Sequence, residues 1–559
     1  MKKKHLITAA LPYTNGPVHI GHVAGCYLPA DTYVRYLRTK GEEVLFISGT
    51  DEHGVPIMQR ATKEGTTPQA IVDKYHTIIA DSFASIGINF DIFSRTTNPI
   101  HYATSQEFFK TMVANNAFVE IETEQYFDEI ANEFLSDRYI MGTCPKCANA
   151  NAYGDQCEKC GSTLQPTDLI NPISKLSAAT PILRKTTNWF LPLDKQQTDI
   201  QNYIHSITDW KTNVKGQCQS WLDGGLQPRA MTRDLKWGIP VPISDATGKV
   251  LYVWFEAPIG YISATKHYFA TTNNPDGWKD WWQDKNTNLV HFIGKDNIVF
   301  HCIIFPAMLM AHGNYILPRN VAGNEFLNLE GQKISTSRNY AVWLEDYLID
   351  FPNKIDELRY VLTAIAPETK DADFTWKDFQ SRINNELVAV LGNFINRVLS
   401  LIHKYYEGVI PQNTSIQNTE INIGIQKALD NIEKHLDKYE FRFALNNLME
   451  IARIGNKYLA DQEPWKKDKI TQTEEIATTL TECLQIVQIL QVGMQIFLPN
   501  SATRLATFLN TSTNLTWQDI PNLSLSKGNI LAPISLLFTK ITDEEISLQI
   551  EKLNTISQK

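Results

Sequence analysis

A chain of 559 residues is several times the length of a typical domain, so one hydrophobic core cannot serve it and several domains are expected. Apolar residues at 43% and charged residues at 20% give an ordinary globular composition and exclude a disordered or fibrous chain. With 52 Lys and Arg against 61 Asp and Glu the formal charge is −9, so no overall basic field gathers nucleic acid, and any polyanion must be held by local patches or uncharged contacts.

The amino terminus, MKKKHLITAAL, is basic but its apolar run is too short for a signal peptide. No later stretch holds the roughly 18 uninterrupted apolar residues of a membrane span, so a cytoplasmic protein without a membrane partner is expected. HLITAAL (His5 to Leu11) suits a buried strand, PYTNGP a turn, and His19 to Thr39 a helix, with Pro29 expected to kink it or end its first part. Gly41 breaks that pattern and VLFISGTD (Val44 to Asp51) reads as a second buried strand. The unit is βαβ, which implies a parallel, doubly wound α/β sheet. Thr67 and Pro68 then open a helix that spaces Ile71, Ile78 and Phe83 along one face.

From Phe118 to Ser220 the text turns polar and cysteine-bearing, as an insertion would. Sheet-like runs return at KVLYVWFEAPIGYI (Lys249 to Ile262) and LVHFIGKD (Leu289 to Asp296). After about Asn384 the pattern is helical, and the last residues read as a loose polar tail. The expected domains are a first half of the doubly wound domain over 1–117, an insertion with the four clustered cysteines over 118–230, the second half of the doubly wound domain over 231–325, a region carrying the KISTS loop over 326–383, a helical domain over 384–540 and the tail over 541–559.

CPKC (Cys144 to Cys147) and CEKC (Cys157 to Cys160) are two C-x-x-C knuckles separated by a short loop. Four thiolates at that spacing close on one tetrahedral Zn²⁺, and with every position filled the metal is structural. The other four cysteines, Cys26, Cys218, Cys302 and Cys483, sit among apolar or mixed neighbours and read as buried thiols.

HIGH (His19 to His22) falls where the first strand ends and the first helix begins, the corner at which open α/β sheets bind phosphate. Gly21 leaves bare backbone for a base, and two imidazoles can donate to phosphate oxygens. Alone, such a quartet is most often a polar helix start. PYTNGPVHIGH and the distant KISTS (Lys333 to Ser337) together, however, resemble the two signatures of class I aminoacyl-tRNA synthetases, HIGH and KMSKS.

The resemblance implies that ATP and an amino acid condense to an adenylate, releasing pyrophosphate, before the acyl group passes to tRNA. It makes His19, His22 and Lys333 catalytic and assigns ATP contacts to Ala10, Asn15, His19, Gly21, His22, Gly294, Lys295, Asp296, Lys333 and Thr336. Thr336 departs from the family, which has a second lysine there, and Arg338 is the expected replacement charge. Mg²⁺ is implied by ATP rather than by a ligand motif. LPY (Leu11 to Tyr13), YVWFEAPIGY (Tyr252 to Tyr261) and FHCIIFPA (Phe300 to Ala307) closely resemble methionyl-tRNA synthetases. That match lines a methionine pocket with Leu11, Tyr13, Trp254, Ala257, Pro258, Tyr261, Ile262, His301, Ile304 and Phe305, with Asp51 on the α-amino group. An unbranched thioether does want a long apolar slot with aromatic edges.

Arg233 and Asp234 match a recurrent pair, with a structural salt bridge as the plain alternative. NFINR (Asn393 to Arg397) and NKYLADQEPWK (Asn456 to Lys466) resemble anticodon-reading elements, and Asn393, Arg397 and Trp465 are the matching positions. Asn393 and Arg397 share a helical face, and an exposed Trp465 is a stacking platform for a base. Methionine, ATP and tRNA(Met), including the initiator, are the implied partners, and a monomer is expected. Another class I synthetase would need a different pocket. A nucleotidyltransferase of the same superfamily leaves the helical domain unexplained, and a non-catalytic zinc-containing RNA-binding protein leaves HIGH unexplained.

Overall fold

The computed structural model describes residues 2–557 apart from 137–138, 155–156, 158, 161, 163, 165 and 337. Glu158 of CEKC and Ser337 of KISTS therefore lie outside the described residues, as do 558–559 of the tail.

A parallel five-stranded sheet forms the centre. Its strands are β1 (Lys4–Ala9), β2 (Glu43–Thr50), β3 (Ile92–Arg95), β4 (Asn288–Gly294) and β5 (Asn320–Asn324), in spatial order β5-β4-β1-β2-β3. Alternate residues feed opposite faces: Leu6, Leu45 and Leu289 enter one core, Ile7, Phe46 and Val290 the other. Burial on both sides is why these strands read as continuous apolar runs. The order reverses between β1 and β4, and the carboxyl ends of those two strands make the ligand-binding crevice of such sheets.

The first helix, α1, runs through Ile20–His22, a π-helical turn Val23–Tyr27 and Leu28–Thr39. Pro29 does not end it. Proline has no N–H for the carbonyl four residues back, and here Asn324 Nδ2, from the tip of β5, donates to the Gly25 carbonyl at 3.0 Å instead. The helix Pro68–Ser85 carries its Thr67 cap, and its buried face runs through Ile71, Tyr75, Ile79 and Phe83, with Ile78 only half-buried.

Three expectations need correcting. Of the run Lys249 to Ile262, only Val250–Leu251 is strand; the rest opens the helix α3 (Val253–Ala270), with Pro258 inside it. β-branched and aromatic residues favour a strand, but burial on nearly all sides by the sheet and neighbouring helices overrides that propensity. The insertion is narrower than 118–230: a long ribbon pairs Val119–Asp128 with Ile182–Leu191 and carries the cysteine knuckles, whereas the helices Leu193–Ser206 and Thr212–Asp223 pack into the same core as β4. The tail is not loose. Asp543–Ser557 is a helix that buries Ile546 and Leu553, and Lys552 pairs with Asp350 at 2.5 Å.

The helical domain packs on one face of the sheet. Its central helix α4 (Thr473–Phe497) is, by composition, long and apolar enough for a bilayer, but 94% of its most apolar window is buried inside the bundle. The continuous helical stretch Trp376–Tyr406 passes the same test, and it turns Ile383, Leu387, Leu391 and Phe394 into the shared core. At the joint between the two domains Arg359, 1% exposed, donates to Asp31 Oδ2 at 2.6 Å, the Phe497 carbonyl at 3.1 Å and the Ile86 carbonyl at 3.2 Å.

Candidate active site

HIGH forms a reciprocal cap. His19 Nδ1 accepts from the backbone N–H groups of Gly21 at 3.2 Å and His22 at 3.4 Å, while His22 Nδ1 accepts from the His19 N–H at 3.2 Å. Both Nδ1 atoms are thus acceptors, which assigns the ring proton of each neutral imidazole to Nε2. The rings stack with centroids 3.7 Å apart. Burial holds His22 down at about 4, and burial with the neighbouring His22 holds His19 well below its ordinary value, so both are neutral donors at physiological pH. Gly21 keeps the corner close-packed: a Cβ there would lie 3.0 Å from the His19 ring and from Ile334, so both side chains would have to shift.

The KISTS segment is zipped to this corner. Ile20 N–H donates to the Val342 carbonyl and Leu344 N–H to the Val18 carbonyl, each at 3.1 Å, while Ser335 and Tyr340 bridge across the loop between. A cleft of about 820 Å³ results, bounded by Ala10, Leu11, Tyr13, Asn15, His19, Gly21, His22, Gly294, Asp296, Lys333 and Thr336. That volume suits a nucleotide. Gly294 lets Asp296 fold back, since a Cβ there would sit 2.7 Å from Asp296 Oδ1. Lys295 is not on this wall: its ammonium pairs with Glu325 at 2.8 Å and Asp371 at 2.7 Å. Arg338 is exposed, and its guanidinium turns back toward the Lys333 carbonyl at 3.5 Å, outside the cleft wall. A larger cavity of about 1130 Å³ opens at the amino ends of β1 and β4, between Lys3, His5, Asn288 and Arg319, and includes no residue of either motif.

Asp51 stands at the carboxyl end of β2. Its N–H donates to the Pro12 carbonyl at 2.9 Å and its carbonyl accepts from Thr14 N–H at 3.1 Å, which locks Asp51 beside Tyr13. Behind it, His301 Nδ1 donates to the Asn297 carbonyl and its Nε2 accepts from the Tyr261 hydroxyl, both at 2.9 Å. Tyr261, Ile262, His301, Ile304 and Phe305 are buried together, with Ala257 and Pro258 one turn back on α3. Trp254 is 37% exposed and meets Phe300 edge-on at 4.3 Å, lining a second cleft of about 770 Å³ that shares Tyr13 with the first.

A network that the sequence reading missed lies beneath. Glu256, fully buried, has Oε1 2.9 Å from His53 Nδ1 and Oε2 2.7 Å from His101 Nε2. Burial pushes its carboxyl up, but the two histidines more than offset this and hold it below its ordinary value. A lone acid inside an otherwise apolar run was the available signal. Arg233 and Asp234 do not pair with each other: Arg233 lies over the Tyr252 ring at 4.1 Å, and Asp234 pairs with Lys249 at 2.5 Å.

Elsewhere, the Sγ atoms of Cys144, Cys147, Cys157 and Cys160 all lie within 4.8 Å of one another, with Cys144 to Cys160 at 3.9 Å and Cys147 to Cys157 at 3.6 Å. A tetrahedral ion with metal–sulfur bonds of about 2.3 Å needs sulfurs roughly 3.8 Å apart, so the set fits a metal such as zinc. In the helical domain Asn393 is exposed, Trp465 is 40% exposed in the turn after Phe441–Gln462, and the Arg397 guanidinium lies over the Trp465 ring at 4.9 Å.

A histidine pair at the first helix of a parallel doubly wound sheet, faced by a lysine loop across a nucleotide-sized cleft, is the catalytic architecture of the class I tRNA synthetases. Residues 5–399 match the family model described as tRNA synthetases class I (M), and residues 410–557 match that of the anticodon binding domain of methionyl tRNA ligase. The methionine–tRNA ligase of Cytophaga hutchinsonii is 56% identical over 564 residues, spanning 99% of this chain and 82% of its own length. That of Parabacteroides distasonis is 57% identical over 555 residues, spanning 99% and 81%. The crystal structure of Mycobacterium tuberculosis methionyl-tRNA synthetase bound by methionyl-adenylate shares the fold, with a TM-score of 0.79 at 22% identity over 96% of this chain and 100% of that one. The chain belongs to the methionyl-tRNA synthetase family.

Proposed function

We infer that the chain activates methionine with ATP and transfers it to the 3′ end of tRNA(Met), initiator included. The observation that carries this reading is the HIGH cap, which leaves the Nε2–H of both histidines free of the backbone contacts made by Nδ1, at a cleft that Lys333 also lines. A methionine carboxylate oxygen attacks the α-phosphorus while pyrophosphate departs in line. His19 and His22 donate to the phosphate oxygens that gain charge, and Lys333 accompanies the pyrophosphate. Ala10, Asn15, Gly21, Gly294, Asp296 and Thr336 border the nucleotide, whose Mg²⁺ arrives with it. Lys295 acts indirectly, by tying the β4 end to Asp371. Asp51 receives the α-ammonium of methionine and the Tyr261–His301 pair faces the thioether. Amino-acid-dependent exchange of labelled pyrophosphate into ATP, run with each amino acid without tRNA, tests the reading: methionine alone should support exchange. Exchange with another amino acid, or with none, would overturn it.

For the second step, Asn393, Arg397 and Trp465 form an anticodon platform in which the guanidinium backs the indole and leaves the other ring face for a base. Trp465→Ala should lower tRNA aminoacylation by about 10- to 100-fold, in line with one lost base stack and its neighbour. Methionine-dependent exchange should stay at the wild-type rate; equal losses in both assays would refute the platform. The four cysteines hold one structural Zn²⁺ that supplies the knuckle with its cross-link. The protein works in the cytoplasm as a monomer.

A further inference from the structure

Pyrophosphate leaves with several negative charges, and the departure side of the cleft must meet them with cations already in place. On the KISTS side, Lys333 is the one cation on the cleft wall among the described residues, because Thr336 brings only a hydroxyl and Arg338 is not one of the lining residues. Lys295 is already committed to two carboxylates.

The helix α2 (Val55–Glu64) lines the same cleft. It turns Pro56, Gln59, Arg60 and Lys63 to the cleft, a spacing of i, i+3, i+4 and i+7, while Ile57 and Ala61 are buried on its other side. Arg60 is engaged: its guanidinium bonds Glu64 and donates to the Tyr75 hydroxyl at 2.6 Å. Lys63 is exposed and makes no ion pair among the described residues, yet it borders the same cleft as His19, His22, Lys333 and Thr336.

We propose that Lys63 is a catalytic residue of the activation step, binding the leaving pyrophosphate from α2 in place of the missing loop lysine. The proposal rests on the adenylate-forming reading of the site. As the carboxylate oxygen of methionine bonds to the α-phosphorus, the α–β bridging oxygen leaves with its electron pair on pyrophosphate. Lys63 and Lys333 then meet that charge from two different elements lining the cleft, with no proton or oxidant required. Lysine in a last helical turn also complements the helix dipole, a purely structural role that would alter stability and leave pyrophosphate handling untouched.

The experiment measures methionine-dependent pyrophosphate exchange by the full chain as methionine and pyrophosphate are varied, alongside thermal unfolding. Lys63→Ala should cut the exchange rate by about 10- to 100-fold and raise the half-saturating pyrophosphate concentration, with methionine KM and melting temperature unchanged. Lys63→Arg should recover most of the loss. Wild-type exchange in Lys63→Ala, or equal failure of Lys63→Arg, would overturn the proposal alone. A wild type silent with methionine would overturn the underlying reading and the proposal with it.

Discussion

Replacing Asp51 by asparagine raises the methionine KM by about two to three orders of magnitude and removes its dependence on pH. The carboxylate is 5% exposed and its backbone is pinned to Pro12 and Thr14, so it cannot move to compensate. Burial, and then the charge of Glu256, push its carboxyl well above the ordinary carboxylate range. An arriving α-ammonium reverses that balance by supplying the missing counter-charge. Losing one partner of a desolvated charge pair costs about 3–4 kcal/mol, which is the stated change in KM. The sign follows from the raised pKa: acidification protonates Asp51 and weakens methionine binding in the wild type, whereas asparagine has no proton to gain. Exchange kinetics from mildly acidic to mildly alkaline pH check both parts. A variant whose KM stays within a few-fold of wild type would remove Asp51 from the site.

Arg359→Leu should destabilise the fold by about 3 kcal/mol while leaving residual exchange activity at low temperature. The guanidinium is buried, and burial lowers its pKa against the pull of Asp31. Leucine fills much of the volume but strands the Phe497 and Ile86 carbonyls, each costing about 1–3 kcal/mol if left unpaired. Asp31 is not abandoned, because Arg35 Nε still pairs with it at 2.7 Å, which keeps the loss at the lower end of the range for a broken buried pair. Urea unfolding should show the midpoint falling for Arg359→Leu and much less for the half-exposed Arg38→Leu. Equal shifts would mean the joint is held by apolar packing alone.

The parts of the fold legible in the sequence are those where local pattern and global packing agree. β1, β2 and β4 are apolar runs with turn residues after them, the Thr67 cap precedes its helix, and the cysteine spacing specifies the knuckle. The α3 helix was illegible because an element buried nearly all round carries no period, and its Val, Trp, Phe and Tyr argue for a strand. The carboxy-terminal helix hid differently: Ile546, Gln549 and Leu553 do follow a helical spacing, but so few apolar residues among charges read as solvent-facing until the surface they meet is known. At the site, residues of HIGH and of KISTS line one cleft although some three hundred residues separate them, whereas Trp254 lines a second cleft beside it. Glu256, His53 and His101 are 155 to 203 residues apart in pairwise contact, and no local pattern reports a partner that distant.

Pro29 makes the helix at HIGH dependent on a neighbour. A helix that supplies all its own hydrogen bonds is indifferent to its surroundings; one with a missing donor must borrow it. Here the lender is Asn324, whose Nδ2 reaches the Gly25 carbonyl while its Oδ1 accepts from Lys211 Nζ at 3.0 Å. The gap left by proline thus works as a socket, and the far strand carries the plug. An alanine at 29 would restore the helix's own N–H, and that repair, ordinarily stabilising to a helix, would here compete with Asn324 for the Gly25 carbonyl and loosen the histidine corner from the strand that aligns it.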